Sequence, residues 1–179
     1  MSDTHKHISK FLSLVLRHKP EEIDLKLDSN GWADTDVLIE KLKNRGFDID
    51  FELLEEVVTG NDKQRFSFNE DYSAIRANQG HSVDIDLALD PAKPPEQLYH
   101  GTVAKFIETI KTGGLQKMSR QHVHLSRDIE TAKKVGARRG KPVILVIDSG
   151  KMSDDGYVFY VSENGVWLTE QVPVKYISF

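Results

Sequence analysis

Residues 118–128 read MSRQHVHLSRD. From 122 to 126 polar and apolar side chains alternate, the period-two pattern of a half-buried strand. Val123 and Leu125 then face a core. His122, His124 and Ser126 share the opposite face, and Arg120 and Arg127 flank them. Two imidazoles and a hydroxyl fenced by guanidinium groups suit a metal site, an anion site or an ordinary wet sheet face. The strand alone does not choose.

LYHGT at 98–102 repeats the logic. In an extended segment His100 and Thr102 lie on one face, and Gly101 allows close approach to the backbone. Between and after the two strands come a helical stretch at 103–112, ended by Gly113 and Gly114, and another at 128–137. A buried strand, PVILVID (142–148), follows, with further strands around GYVFYV, GVWLT and KYISF. Strand-rich with two helices, this part is α+β.

The chain opens differently. Ile8, Phe11, Leu12, Val15 and Leu16 recur at three- and four-residue spacing, which predicts an amphipathic helix that Pro20 stops. Arg17, His18 and Lys19 fall in its last turn. DSNGW (28–32) reads as a turn, and Asp34 or Thr35 can cap a second helix carrying Val37, Leu38, Ile39 and Leu42, ended by Gly46. A third helix is expected at 51–59. KQRFSF and SAIRAN, joined by NEDY, then read as a β-hairpin. Three helices and a hairpin in that order describe a winged-helix module. Residues 81–97, acidic and then proline-rich with three prolines between 91 and 95, read as the connection between lobes spanning 1–80 and 98–179.

Charge divides along the same line. Residues 1–80 hold eleven Lys and Arg against sixteen Asp and Glu, whereas 99–141 hold ten basic residues against three acidic ones. A phosphate-rich ligand would gather at the second block, and any nucleic-acid contact on the acidic lobe must be local. Zero cysteines exclude disulfides and thiolate metal sites and fit a cytoplasmic location. No apolar run is long enough to span a bilayer, and the N-terminus lacks a secretory signal, so no membrane partner is expected. A monomer is the default.

Taken singly, each motif has a bland reading. Arginine and histidine at a helix end satisfy terminal carbonyls and the helix dipole. Arg65 on the hairpin can simply be solvated. His122 and His124 have a His-x-His spacing that His100 could extend to a zinc or iron site, yet acidic support is scarce and the surrounding cations would repel a dication. The same arginines suit phosphate, which a guanidinium grips in a bidentate fork. No metal is therefore expected. Phosphate loops, the glycine-rich dinucleotide fingerprint and nucleophile elbows are missing.

Together, ISKFLSLVLRHKP, LDSNGWADTDVLI, DKQRFSF, IRANQGHS, LYHGT, RQHVHLS, KVGARRGKPVIL and ENGVWLTEQVP stand in an order that resembles the NAD-dependent RNA 2′-phosphotransferases, which remove the splice-junction 2′-phosphate from tRNA. The resemblance runs from about residue 8 to the C-terminus. It implies a winged-helix lobe for RNA followed by an ADP-ribosyltransferase-like lobe for NAD. It also implies a phosphate-handling tetrad matching Arg17, His18, Arg65 and Arg120, three groups from the first lobe and one from the second, hence a site between lobes. The NAD-binding residues would be His100, Gly101, Thr102, His124, Ser126 and Arg138. Many relatives carry a glutamate on a later strand, where this chain has an apolar residue near Val166. His122 receives no role.

The reaction implied has two steps. The RNA 2′-phosphate displaces nicotinamide from NAD, and the neighbouring ribose hydroxyl then attacks the transferred phosphorus. RNA leaves with a 2′-hydroxyl, and ADP-ribose 1″,2″-cyclic phosphate forms. Arg17, Arg65 and Arg120 would stabilise charge on the phosphate. His18 would hydrogen-bond it or protonate the departing oxygen.

Overall fold

The computed structural model describes residues 2–179, which divide after Ala88 into two compact units, the second being Leu89–Phe179. In the first unit, α1 (Asp3–Arg17) starts where the Ser2 hydroxyl accepts from the His5 amide, and it buries Ile8, Leu12, Val15 and Leu16. β1 (Ala33–Asp34) leads directly into α2 (Thr35–Asn44). Of the two candidate caps, Asp34 is the one used, accepting from Val37 N at 2.9 Å, and Thr35 is buried. Such a cap stabilises a helix by about 1 kcal/mol. Leu38, Ile39 and Leu42 enter the core, while Val37 stays outside at 40% exposure. α3 (Phe51–Thr59) is capped by Asp50 and buries Leu54, Val57 and Val58.

β2 (Phe66–Phe68) and β3 (Ala74–Ala77) form the expected hairpin, with Phe66 opposite Ala77 and Phe68 opposite Ile75. β1 pairs with the far side of β3, making a three-stranded antiparallel sheet. Two residues are too short to register as alternation, so sequence periodicity missed β1. Residues 81–88 belong to this unit: His81 and Leu87 are buried, and the Leu87 carbonyl accepts from the Arg76 guanidinium.

The second unit takes up residues 89–97. The Ala92 amide donates to the Phe159 carbonyl, and the Ser149 hydroxyl donates to the Pro95 carbonyl. The stretch read as a connection is thus anchored at both ends, half to each unit. β4 (Leu98–Val103) follows, then a 3₁₀ turn at Ala104–Phe106 and α4 (Ile107–Gly113). The helix expected from 103 starts four residues later, after the 3₁₀ turn. β5 (Leu115–Gln116), β6 (Val123–Leu125), α5 (Ile129–Gly136), β7 (Pro142–Ile147) and α6 (Ser149–Asp154) come next. β8 (Phe159–Val161), β9 (Trp167–Thr169), β10 (Gln171–Val172) and β11 (Ile177–Ser178) complete the unit. α6 has Met152 as its one large apolar residue, too little for a periodic signal.

All strand pairs are antiparallel. β4 pairs with β7 along its whole length, with β11 on the far side of β7, while β6, β9 and β8 form a second three-stranded sheet. Val123 and Leu125 are buried, as their alternation predicts, and join Leu98, Leu145, Ile147 and Phe159 in one core. Among the described residues no helix is long and apolar enough to cross a membrane.

Candidate functional site

In the first unit Arg17 is the last residue of α1 and His18 its C-cap. Helix ends leave carbonyls unsatisfied, and the bland reading gives the cations that task. The structure gives it to a strap instead. The Ser82 and Val83 amides both donate to the Arg17 carbonyl, at 2.8 and 3.3 Å. The Arg17 guanidinium turns to the Gln79 side-chain oxygen (3.2 Å) and lies over the Phe66 ring at 5.9 Å. His18 Nδ1 meets the Ser82 hydroxyl at 2.9 Å. Residues 79–83 therefore fix both side chains, which the sequence alone could not indicate.

Within the strap His81 is 1% exposed, with no hydrogen-bond partner on either ring nitrogen among the described residues. Its pKa is pushed down to about 3, chiefly by burial and further by Arg17, Arg76 and His18. It is a neutral ring at physiological pH. Gly31 packs beside it: a Cβ there would sit 2.7 Å from Ile85 Cδ1 and 3.4 Å from His81 Nε2, and its φ of +83° suits glycine.

Arg65 precedes β2 and donates from Nη1 to the Asn61 side-chain oxygen at 3.4 Å. Asn61 in turn donates to the Ser9 hydroxyl of α1 at 3.1 Å. Arg65 is thereby tied, through one buried amide, to the helix that carries Arg17 and His18. The sheet buries Phe66, which anchors the chain directly after Arg65.

In the second unit a bridge joins the two histidine-bearing strands: the Tyr99 and Ser126 backbones exchange hydrogen bonds of 2.8 and 2.7 Å. This brings His100 Nδ1 to 3.0 Å from the His124 carbonyl. A carbonyl only accepts, so neutral His100 carries its proton on Nδ1 and presents Nε2 as an acceptor. Arg120 Nη1 stands 3.1 Å from His124 Nδ1. A guanidinium only donates, so neutral His124 carries its proton on Nε2 and presents a donor. One imidazole accepts and the other donates.

The register explains the environment. Leu98, His100 and Thr102 share a face with their partners Ile147, Leu145 and Val143, mostly core residues. Burial therefore dominates the lowered pKa of His100, with Arg139 and Arg120 adding to it. Arg120 itself is lowered by burial and by repulsion from Arg139 and Arg138. Three guanidinium groups thus lie within electrostatic reach of one another, beside the imidazoles. Arg139 acts on His100 directly and belongs with Arg138 among the candidate residues.

The remaining residues vary. Thr102 is buried, and Ser126 is held by its bridge to Tyr99. Gly101 has a packing reason of its own: a Cβ would stand 1.8 Å from the Ala132 carbonyl oxygen of α5. Val166 closes the turn between β8 and β9 through paired bonds to Ser162. His122 packs its ring 5.7 Å from that of Tyr160 and lines a cavity of about 320 Å³ with Tyr157 and Thr169. Among the described residues no group of three or more His, Asp or Glu is placed to hold a metal ion.

A family model for "RNA 2'-phosphotransferase, Tpt1 / KptA family" matches residues 3–171. The chain belongs to the RNA 2′-phosphotransferase family. A "Probable RNA 2'-phosphotransferase" of Flavobacterium johnsoniae is 63% identical over 174 residues, 97% of this chain and 96% of that one. Proteins of the same name from Fusobacterium nucleatum and Hahella chejuensis are 57% and 53% identical, over 178 and 173 residues. They align over 99% and 97% of this family member and 99% and 93% of their own lengths.

Proposed function

We propose that the protein removes an internal 2′-phosphate from RNA, of the tRNA splice-junction type, by transferring it to NAD, which is consumed as co-substrate. The products are RNA with a 2′-hydroxyl, nicotinamide and ADP-ribose 1″,2″-cyclic phosphate. Family membership supports the RNA 2′-phosphate as substrate. The observation that carries the NAD reading is the pair of imidazoles with opposed hydrogen-bonding character among three arginines. A dinucleotide offers what such a set recognises: ribose hydroxyls that donate to His100 Nε2, acceptors for His124 Nε2–H, and a pyrophosphate for Arg138 and Arg139. The donor set fits.

On this reading the first unit is a winged-helix lobe that presents Arg17, His18 and Arg65 to the RNA phosphate. The second is an ADP-ribosyltransferase-like lobe that supplies Arg120. Gly101, Thr102 and Ser126 shape the NAD side through backbone and hydroxyl groups. A phosphate dianion is already nucleophilic, so the apolar residue near Val166, where many relatives carry a glutamate, leaves this chemistry intact. Arg17, Arg65 and Arg120 act electrostatically, where charge develops on the transferring phosphoryl group. His18, held at Nδ1 by Ser82, directs Nε2 outwards as the hydrogen-bond donor or acid.

The test is incubation with NAD and a short RNA bearing one internal 2′-phosphate, with products resolved by mass. Phosphate loss with stoichiometric nicotinamide and ADP-ribose cyclic phosphate is expected. Stable ADP-ribosylated RNA would instead indicate an end-modifying transferase on the same scaffold. An absence of NAD consumption would leave a nucleic-acid-binding module.

A further inference from the structure

The observation is a groove along α1. His7, Lys10, Phe11, Ser13, Leu14 and His18 line a cavity of about 410 Å³. Their spacing of three and four residues makes one stripe on the helix, ending at His18. Its apolar lining is Phe11 and Leu14, and the Phe47 ring packs 4.8 Å from Phe11 and 5.4 Å from His7. None of the six lining residues is acidic, although residues 1–80 carry sixteen acids against eleven bases. Lys6, Lys19 and Lys41 each pair with a carboxylate, whereas Lys10 has no such partner among the described residues.

We infer that this groove binds the single-stranded RNA flanking the 2′-phosphate, with a base against the Phe11–Leu14 floor and a backbone phosphate on Lys10. The inference rests on the proposed placement of His18 at the 2′-phosphate. Aromatic floors and cations are what sequence-tolerant single-strand sites combine, because every base has a face to stack. Spacing sets the reach. Lys10 and His18 are eight residues apart, about 12 Å along the helix at 1.5 Å per residue. A strand advances roughly 3.4 Å per stacked nucleotide and more when extended. Lys10 therefore engages a phosphate at least two nucleotides from the modified one, and the acid-rich remainder of the unit repels RNA that leaves the track.

The experiment is fluorescence anisotropy with three RNAs carrying one 2′-phosphate: one extended on both sides, one cut back on the 5′ side and one on the 3′ side. Wild-type protein and Lys10→Glu are compared across a salt series. For the full RNA, Lys10→Glu is expected to weaken binding about tenfold and to lower the slope of log affinity against log salt by about 0.7, one phosphate contact. One of the shortened RNAs should bind wild type as weakly as the variant binds the full RNA, and should ignore the substitution. Unchanged affinity overturns RNA as the occupant and leaves an apolar protein segment in its place. Equal weakening of all three RNAs also overturns it, since that is long-range electrostatics. The parent reading fails separately, if wild type binds the RNA but does not turn it over with NAD.

Discussion

The two units hold their candidate arginines in opposite ways. In the first, acidic overall, Arg17 and Arg65 each lean on a neutral side-chain amide, Gln79 and Asn61, and the frame for Arg17 is a loop drawn across a helix end. In the second, Arg120 leans on an imidazole, and the frame is sheet register. An amide occupies one guanidinium donor and neutralises no charge, so the cation keeps its attraction for phosphate. An imidazole does the same and, in addition, has its own tautomer fixed. The loop-built frame orients single groups; the sheet-built frame couples them.

The largest effect should come from the arginines themselves. Arg120→Ala and Arg65→Ala are each expected to lower kcat by about 10²–10³-fold, the usual loss when one electrostatic donor to a developing charge is removed. Thermal unfolding should stay close to wild type, since neither side chain is in the core. Near-normal turnover by either variant would remove that residue from the phosphate site. The coupled frame predicts a further contrast. Arg120→Ala should also release the His124 tautomer, which ring ¹⁵N chemical shifts detect, whereas Arg65→Ala leaves it alone.

Next comes the sheet frame. Gly101→Ala places a methyl group 1.8 Å from the Ala132 carbonyl oxygen, a backbone atom that cannot move without shifting α5. A loss of about 3 kcal/mol or more in the stability of the second unit is expected, the upper range for overpacking. Denaturant unfolding reads it. A small loss of stability with a large loss of activity would mean that the glycine serves a ligand more than the helix.

The loop frame has its own signature, in pH. His81 titrates near 3 in the folded protein and near 6.5 when unfolded, so between those values the unfolded chain binds the extra proton. The stabilising contribution is therefore full above pH 6.5, drains by up to about 1.4 kcal/mol per pH unit as pH falls, and levels off near 3. Urea unfolding followed by Trp32 fluorescence, in a Trp167→Phe background, isolates the first unit. His81→Phe should flatten this slope. An unchanged slope would assign acid sensitivity to other groups.

These cases show what a sequence discloses. Alternation in HVHLS announced the face carrying His124 because burial of Val123 and Leu125 enforces period two. Apolar spacing disclosed α1, and a cap with apolar spacing disclosed α2, for the same reason: each signal lies within one element. The strap at 79–83 sends no such signal, since Gln79, His81 and Ser82 acquire meaning from residues more than sixty positions away. The tautomers of His100 and His124 are equally hidden, for they depend on a carbonyl and a guanidinium brought near by strand pairing. β1 and α6 were too short for any period to appear.

The smallest effect separates holding a group from using it. Ser82 touches His18 Nδ1 at 2.9 Å, and its other contact, the Arg17 carbonyl, is at the long limit of 3.5 Å. When His18 is protonated both ring nitrogens donate, so Nδ1–H must point at the Ser82 oxygen and Nε2–H is aimed away from it. Ser82→Ala removes that constraint and leaves the strap amides in place. A roughly tenfold fall in kcat, about 1.4 kcal/mol, is expected, with RNA affinity nearly unchanged and Ser82→Thr restoring turnover. A structural role alone would not be rescued selectively in kcat. Turnover indifferent to both substitutions would show that the strap backbone suffices to set the ring, and the two frames would then differ less than the hydrogen bonds suggest.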